Sequence, residues 1–225
     1  MSSDLADLDA RLDAAGAHLA RYRAAGMRVF ATSSFQPNSV LLLHLLASRA
    51  PWVPVYFLDT GYHFPETLLW RDAVARQTGL RVVDLRSPMP RSQQRDGEGR
   101  LLFVSDPDRC CHLNKVLPLL PVQAGHDVWV TGVRATQSAQ RAAMDEEEPD
   151  PSGILKYNPL LRWTGAEVEA LRAARDLPRH PLEGRGYASV GCAPCTTASG
   201  GGLDDRGGRW SGQRKTECGL HGGAR

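Results

Sequence analysis

Five cysteines carry the most specific chemical signal in this 225-residue sequence. Their number is odd, so internal disulfides cannot use all of them. Cys192 and Cys195 form a C-x-x-C pair, whereas Cys110 and Cys111 are adjacent. Together the two pairs supply four thiolates, enough for one tetrahedral zinc ion or for a cubane iron-sulfur cluster. The spacing alone leaves both open, and zinc is the more common outcome for four cysteines.

Cys218 is the fifth cysteine, in the segment K-T-E-C-G-L-H. The glycines around it disfavour burial in a core, and an exposed thiol on a tail can reach a bound ligand. Arg214, Lys215 and His221 are close in the sequence and favour the thiolate, which is the attacking form. The alternative interpretation of Cys218 alone is an incidental exposed thiol.

Two polar loops follow predicted strands. The first, T-S-S-F-Q-P-N-S at 32–39, offers the hydroxyls of Ser33 and Ser34, and backbone N–H groups at the start of the next helix can hold an anion. Taken alone, this loop is more typical of a serine-rich helix cap. The second, at 58–67, places Asp59, Thr60 and Gly61 at a strand end suited to nucleotide contacts.

Basic residues occur in three clusters that could neutralise an anionic ligand. They are Lys115, four residues after Cys111; Arg134 and Arg141; and Arg206 and Arg209. Arginine suits bidentate contacts with phosphate or sulfate oxygens, although each of these residues alone is more typical of a solvated surface. If Cys110 begins a helix, Lys115 lies one turn from Cys111 and can reach both the cysteines and an anion.

The elements that must position these residues follow an alternating pattern. Apolar residues at helical spacing over 4–25 predict an amphipathic N-terminal helix, and short β-branched runs then alternate with helical ones, ending with a strand at 127–133. We therefore predict an α/β fold: a single domain with a mostly parallel sheet flanked by helices and a flexible, cysteine-bearing C-terminal tail. The predicted units are the helix at 1–27, the nucleotide-binding domain at 28–190 and the cysteine-bearing remainder at 191–225.

Two polar stretches, 87–100 and 145–153, predict surface excursions, and the acidic run in the second predicts a solvated surface. Thr164 and Glu167 form a T-x-x-E capping box that begins a further helix.

Composition narrows the function classes. A net charge of +2 lacks the basic excess of a general nucleic-acid-binding protein, so we expect no nucleic-acid partner. The sequence contains neither a basic-then-apolar leader nor 18 consecutive apolar residues, so we expect no membrane partner and a cytoplasmic location.

Seven motifs occur in the order found in one enzyme family. The sequence resembles the assimilatory adenylyl-sulfate (APS) and phosphoadenylyl-sulfate (PAPS) reductases, and it matches the cluster-containing branch best, from about Val29 to His221. The motifs are S-S-F, L-D-T-G-Y-H-F-P-E-T, C-C-H-L-N-K, W-V-T-G-V-R-A-T-Q-S, G-C-A-P-C-T, R-G-G-R-W and E-C-G-L-H.

The resemblance implies an adenine-nucleotide alpha-hydrolase-like fold and one [4Fe-4S] cluster on Cys110, Cys111, Cys192 and Cys195. It also implies that the Cys218 thiolate attacks the sulfur of adenylyl sulfate, that AMP leaves, and that a thiol of thioredoxin or a similar protein frees sulfite from the S-sulfocysteine. Residues 28–190 would then be the reductase domain, and 191–225 would hold a cluster-binding segment and the catalytic tail. The substrate-binding positions implied are Ser33, Ser34, Phe35, Asp59, Thr60, Gly61, Lys115, Gly132, Arg141, Arg206, Arg209 and His221.

Three alternatives stay open at this stage. A PAPS reductase, or an enzyme of dual specificity, would need a further cation for the 3′-phosphate, for which Arg28, Arg49 and Arg91 are candidates. A zinc-stabilised binding module would have no use for Cys218. An ATP-cleaving enzyme of the related pyrophosphatases is disfavoured, because the first loop lacks their S-G-G-x-D-S pattern. The N-terminal helix could also pack across the interface of a homo-oligomer.

Overall fold

Six strands and eight α-helices make up the part of the chain that the computed structural model describes, residues 2–187, 189–198, 208–210, 215 and 219–220. The strands are β1 (Val29–Thr32), β2 (Val55–Leu58), β3 (Val82–Leu85), β4 (Val128–Val130), β5 (Glu147–Pro149) and β6 (Leu155–Tyr157). The helices are α1 (Ser2–Ala24), α2 (Val40–Arg49), α3 (Pro65–Thr78), α4 (Leu102–Ser105), α5 (Pro107–Cys111), α6 (Leu117–Ala124), α7 (Ala139–Ala142) and α8 (Gly165–Ala174), and a π-helical turn, His112–Val116, joins α5 to α6.

The strands form one sheet in the order β3-β2-β1-β4-β6-β5. All neighbouring pairs are parallel except β5 and β6, which are antiparallel. This confirms the predicted α/β fold with a mostly parallel sheet. The chain runs outward from β1 through β2 to β3 and then returns to the other side of β1 as β4. In such sheets the crevice between the two central strands, at their carboxyl ends, is where ligands bind.

Alternation along the central strands divides the core between the two faces of the sheet. Val29 and Ala31 face the larger core, which also contains the apolar residues of α2. Phe30 faces the other side and packs with Trp129 and Leu119. Since α2 is buried on nearly all sides, its sequence V-L-L-L-H-L-L is almost continuously apolar.

The predicted N-terminal helix is present as α1. Leu8, Leu12, Leu19 and Tyr22 are buried in the same core as α2, as expected for one apolar face of an amphipathic helix. The helix packs on α2 and α8. No described helix is both long enough and apolar enough to cross a bilayer.

The acidic run at 145–153 is largely exposed, as predicted for solvated surface, but it also contains a strand that the sequence did not predict. Its residues form the edge strand β5, in which Glu147 accepts a hydrogen bond from Tyr22 and pairs with His18 of α1. The adjacent Glu148 pairs with the buried Lys156 of β6 at 2.9 Å. Partners that are distant in sequence therefore turn a polar run into a strand. In contrast, the predicted Thr164–Glu167 capping box is present at the start of α8.

Candidate functional site

A polar cleft opens at the carboxyl ends of β1 and β4, where the strand order reverses. Its lining comes mainly from the first loop, the loop after β4, the residues around Cys192 and three tail positions. The lining residues are Thr32, Ser33, Ser34, Gln36, Asn38, Ser39, Leu42, Leu58, His63, Lys115, Thr131, Gly132, Val133, Gln137, Arg141, Ser189, Gly191, Cys192, Arg209, Trp210 and Leu220.

The first loop divides its polar and apolar residues between the cleft and the core. Phe35 has a φ of 48°, in the left-handed region that non-glycine residues rarely adopt. This turn sends its side chain into the core against Phe57 and Trp70, while Ser33 and Ser34 line the cleft. Phe35 was predicted to bind substrate, but its side chain is not part of the described cleft lining. It packs in the core beneath the first loop instead.

Ser39 performs the capping role that the sequence allowed for this loop. Its hydroxyl accepts a hydrogen bond from the backbone N–H of Gln36 at 3.2 Å, at the start of a short 3₁₀ turn that leads into α2. Ser33 and Ser34 are left facing the cleft at the beginning of this helical segment, where hydroxyls and backbone N–H groups favour an anion.

Three of the predicted cations line the cleft: Lys115, Arg141 and Arg209. Arg141 is 8% exposed and donates to Gln137. The Arg209 guanidinium donates to the carbonyl of Val190 at 3.1 Å. A Cβ atom on Gly191 would overlap this guanidinium, so the glycine is what lets Arg209 take its position.

Arg134, another basic residue noted in the sequence, has a different place. It is buried outside the described cleft lining and donates to the Asn38 side chain at 3.0 Å. It thereby ties the loop after β4 to the first loop. Gly132, a predicted substrate-binding residue, lies in the cleft, and a Cβ there would meet Leu42 at 3.2 Å.

The four paired cysteines lie together in a second cavity beside the cleft. Tyr62, Phe103 and Trp210 contribute to its walls, and Lys115 and Arg209 line both this cavity and the cleft. The lining also includes Cys110, Cys111, Cys192 and Cys195, which are thiols rather than disulfides. Two pairs about 80 residues apart in sequence are thus brought to one place.

Local structure explains how each pair reaches this cavity. Asp106 caps α5 by accepting from the Arg109 backbone N–H at 2.9 Å, and α5 then presents Cys110 and Cys111. The C-x-x-C pair lies on a short 3₁₀ turn that is docked on the loop after β2. Cys192 forms a β-bridge with His63, and the Ala193 N–H donates to the Tyr62 carbonyl at 2.7 Å.

The close thiols of this cavity favour binding of a positively charged group. Burial is the largest cause that raises the pKa of the Cys110 thiol, and together with the neighbouring Cys111, Cys192 and Cys195 it brings this pKa to about 12. Burial also raises the pKa of Cys195, against the opposing effect of Lys115 and Arg209. Thiolates at these positions would repel one another, and a cationic metal group bound to them removes that repulsion.

The donor set of this cavity can be compared with the needs of both kinds of metal group. Four cysteine thiolates can ligate either one tetrahedral zinc ion or a cubane iron-sulfur cluster. The four thiols around one cavity fit the ligand set of a cluster.

Asp59, Thr60 and Gly61 lie beside the cleft and are not among the described residues that line it. Although burial raises the pKa of Asp59, hydrogen bonds from the Gly61 N–H and from Arg86 bring it below its usual range. The Asp59–Arg86 ion pair is 2.8 Å long. Thr60 faces the cysteines, with its Oγ1 at 3.2 Å from Cys192 Sγ. The substrate contacts implied for these three residues stay predictions.

His63 and Leu220 are among the cleft residues that the sequence reasoning missed. His63 lines the cleft, its Nε2 is 2.9 Å from the Leu58 carbonyl, and burial lowers its pKa, so its ring is neutral at physiological pH. Leu220 lies in the cleft and packs against the second core around Phe30 and Trp129. Both fall in motifs that the sequence had already distinguished, Y-H-F-P-E-T and E-C-G-L-H.

The predicted nucleophile Cys218 lies outside the described residues, as do Arg206, Arg214 and His221. Lys215 and Leu220, described positions on either side of Cys218 in the sequence, have defined contacts. Lys215 pairs with Asp108 of α5, and Leu220 lies in the cleft.

Comparison with known proteins agrees with this geometry. Residues 28–198 match the family model for the phosphoadenosine phosphosulfate reductase domain. The adenosine 5′-phosphosulfate reductase of Rhodococcus opacus is 44% identical over 182 residues, which cover 80% of this chain and 74% of that protein. The phosphoadenosine 5′-phosphosulfate reductase of Gloeobacter violaceus is 40% identical over 203 residues, which cover 88% and 84%.

Solved structures give the same fold. The phosphoadenylyl-sulfate reductase of Candida auris superimposes with a TM-score of 0.67 at 26% identity, covering 81% of this chain and 90% of that one. The FMN adenylyltransferase of Candida glabrata has a TM-score of 0.63 at 14% identity, covering 87% and 67%, and this likeness concerns the fold alone.

Proposed function

Because this chain belongs to the phosphoadenosine phosphosulfate reductase family, we propose that it reduces adenylyl sulfate to sulfite and AMP, with thioredoxin or a similar thiol protein as the reductant. The observation that carries the proposal is the pair of cavities with a common wall. An anion cleft at the switch point of the sheet adjoins a cavity of four thiols, and Lys115 and Arg209 line both.

The reaction has three displacement steps, and the last one frees Cys218. The Cys218 thiolate attacks the sulfur of adenylyl sulfate, the bond from that sulfur to the phosphate oxygen breaks, and AMP leaves with the bonding electrons. A thiolate of the reductant then attacks Cys218 Sγ and releases sulfite, and the second thiol of the reductant attacks the mixed disulfide and closes the reductant's own disulfide. The reductant dithiol supplies both electrons, and the protein mainly positions the groups and balances charge.

The cleft supplies that balance. Lys115, Arg141 and Arg209 provide positive charge for the phosphosulfate, and Ser33 and Ser34 provide hydroxyls at the start of the helical segment that leads into α2. Buried or half-buried cations bind an anion more strongly than solvated ones, because the surrounding dielectric constant is lower.

The tail contacts support Cys218 as the nucleophile. Lys215 precedes it by three positions and is held at α5 by Asp108, while Leu220 follows it by two positions and lies in the cleft. These described contacts involve residues on both sides of Cys218 in the sequence, and they support its assignment as the nucleophile.

Cys110, Cys111, Cys192 and Cys195 would hold the [4Fe-4S] cluster. These residues would hold it between α5 and the 3₁₀ turn of Cys192 and Cys195, where it would add charge next to Lys115. The thiol chemistry is complete without electron transfer through it.

PAPS is the second candidate substrate, favoured by the 40%-identical Gloeobacter relative that carries that name. The three arginines considered for its 3′-phosphate have other partners. Arg28 pairs with Asp127 at 3.0 Å, Arg49 with Asp13 at 2.6 Å, and Arg91 donates to the Gly61 carbonyl. The described lining of the cleft includes none of the three, which favours APS.

The deciding experiment is sulfite release by anaerobically purified protein with thioredoxin, given APS and PAPS in parallel. We expect sulfite from APS alone, or a much higher kcat/KM with APS than with PAPS. A higher kcat/KM with PAPS would show that the proposed substrate is wrong and the proposed type of reaction is right. If a preparation with intact iron and sulfide forms no sulfite from either, the proposed function is wrong.

A further inference from the structure

Gln94 is completely buried, although the segment around it, 87–100, is largely exposed. Its partner is Asn114, which is 2% exposed. The two side-chain amides exchange hydrogen bonds: Gln94 Nε2 donates to Asn114 Oδ1 at 3.0 Å, and Asn114 Nδ2 donates to Gln94 Oε1 at 2.6 Å. The predicted surface excursion is therefore attached to the turn that follows the cysteine pair.

Asn114 also reaches Cys110. Its Nδ2 donates to the Cys110 carbonyl at 2.9 Å and lies 3.6 Å from Cys110 Sγ. Asn114 belongs to the π-helical turn, where the backbone leaves the usual i→i−4 register, and such turns are frequent at functional sites. One N–H of this amide is directed to Gln94 and the other to Cys110, so Gln94 fixes the direction of the second donor.

Further contacts hold the same segment against the other half of the cysteine cavity. Arg86 pairs with Asp59 at 2.8 Å, and Arg91 donates to the carbonyl of Gly61. Thr60, which stands between Asp59 and Gly61 in the sequence, lies at hydrogen-bonding distance from Cys192 Sγ. The segment thus contacts both loops that carry or support the four cysteines.

We propose that Asn114, held by Gln94, is a positioning residue that orients Cys110 and donates a hydrogen bond to its thiolate in the cluster-bound protein. The inference rests on the proposed function, since it takes the four cysteines as cluster ligands. Groups that hydrogen-bond to a metal ligand orient it and tune the metal group, and sulfur-directed donors reduce the negative charge on the thiolate.

The test uses the full chain reconstituted anaerobically with iron and sulfide, and it compares Asn114→Leu, Asn114→Ser and Gln94→Leu with the wild type. Gln93→Leu is the matched control, because Gln93 is exposed and directly precedes Gln94. One readout is resonance Raman spectroscopy of the iron–cysteine stretches, and the other is the rate of iron loss to a chelator. Neither readout depends on turnover.

We expect Asn114→Leu to raise one iron–cysteine stretching frequency and to speed iron loss about tenfold, in line with other changes next to metal ligands. Gln94→Leu should cause a smaller change in the same direction, and Gln93→Leu should match the wild type. If Asn114→Leu fails to fold, Asn114→Ser and Gln94→Leu decide the question.

Wild-type frequencies and iron-loss rates in the folded Asn114 and Gln94 variants would overturn the inference while leaving the proposed function standing. A wild-type chain that takes up no iron and sulfide would overturn the cluster itself, and this inference with it. Iron and sulfide analysis before the spectroscopy distinguishes the two outcomes.

Discussion

The anion cleft and the cysteine cavity are neighbours with opposite characters. The cleft combines hydroxyls, backbone groups and cations with apolar side chains, whereas the cysteine cavity has mainly apolar and aromatic walls and four thiols. The cleft suits a ligand that comes and goes. The cavity suits a group that stays, because its thiols are buried or half-buried and the segments that carry them are held by backbone and side-chain hydrogen bonds.

The two regions are nevertheless joined by Lys115 and Arg209. In the proposed reaction, these cations face negative charge on both sides, from the phosphosulfate and from the thiolates. Charge in one region therefore affects binding in the other. The variants below test which functions belong to one region and which belong to both.

Cysteine substitutions should separate the two regions most sharply. Cys218→Ser should keep the brown colour of the cluster and nucleotide binding but lower sulfite formation by about a thousandfold or more, because the nucleophile is gone. Cys192→Ser should lose the colour. Visible absorbance and sulfite assays on both variants test this, and normal turnover by Cys218→Ser would refute the mechanism.

Lys115→Ala should affect both regions at once. Loss of a cation that faces the developing charge should lower kcat/KM for APS by about 100-fold. The same substitution should also increase the rate at which a chelator removes iron from the protein, since Lys115 lies beside the thiols. Arg28→Ala, at an exposed ion pair, is the control. A Lys115 variant altered in only one of the two measurements would show that the regions are independent.

Gly191→Ala tests the position of Arg209 without changing a charge. The added methyl group would displace the guanidinium, and loss of its charge-assisted contacts should raise KM for APS roughly tenfold. Gly184→Ala is the matched control, because a Cβ at that position has no neighbour within 4 Å. Equal KM values for the two variants would mean that Arg209 does not contact the substrate from this position.

The smallest effect on activity is expected from a substitution of His180, because its described contacts are with residues that line neither region. Burial lowers its pKa to about 4, and its Nδ1 accepts a hydrogen bond from the Leu182 N–H at 3.2 Å. The unfolded chain binds the proton more readily, so the free energy of unfolding should fall by about 1 to 3 kcal/mol as the pH drops from about 6.5 to about 4.

Urea denaturation across this pH range measures that dependence. His180→Gln should flatten it and leave kcat at neutral pH unchanged. An equally steep pH dependence in the variant would assign the effect to other groups.

The sequence allowed much of this arrangement to be predicted, because strand ends and cysteine spacing are local features. The parallel sheet, the α1 helix and the position of Lys115 between the cysteines and the cleft follow from periodicity and residue spacing. The strand β5 could not be predicted in this way. Its acidic residues gain their partners from α1 and β6, and such tertiary contacts override local preference.

Two features of the site depend on similar long-range contacts. Gln94 is one glutamine in a polar segment, and nothing local distinguishes it from the exposed Gln93. Its burial follows from Asn114, 20 positions away. Phe35 was grouped with the serines of its motif, but its left-handed φ turns it toward Phe57 and Trp70 instead.

The β-bridge between His63 and Cys192 has a consequence for the order of folding. It closes a loop of more than 100 residues, and contacts of such sequence separation form late because closing long loops costs chain entropy. The central strands should be in place before the C-x-x-C turn docks on them. In the cell, iron and sulfide would then be delivered to an almost finished scaffold rather than to a nascent chain.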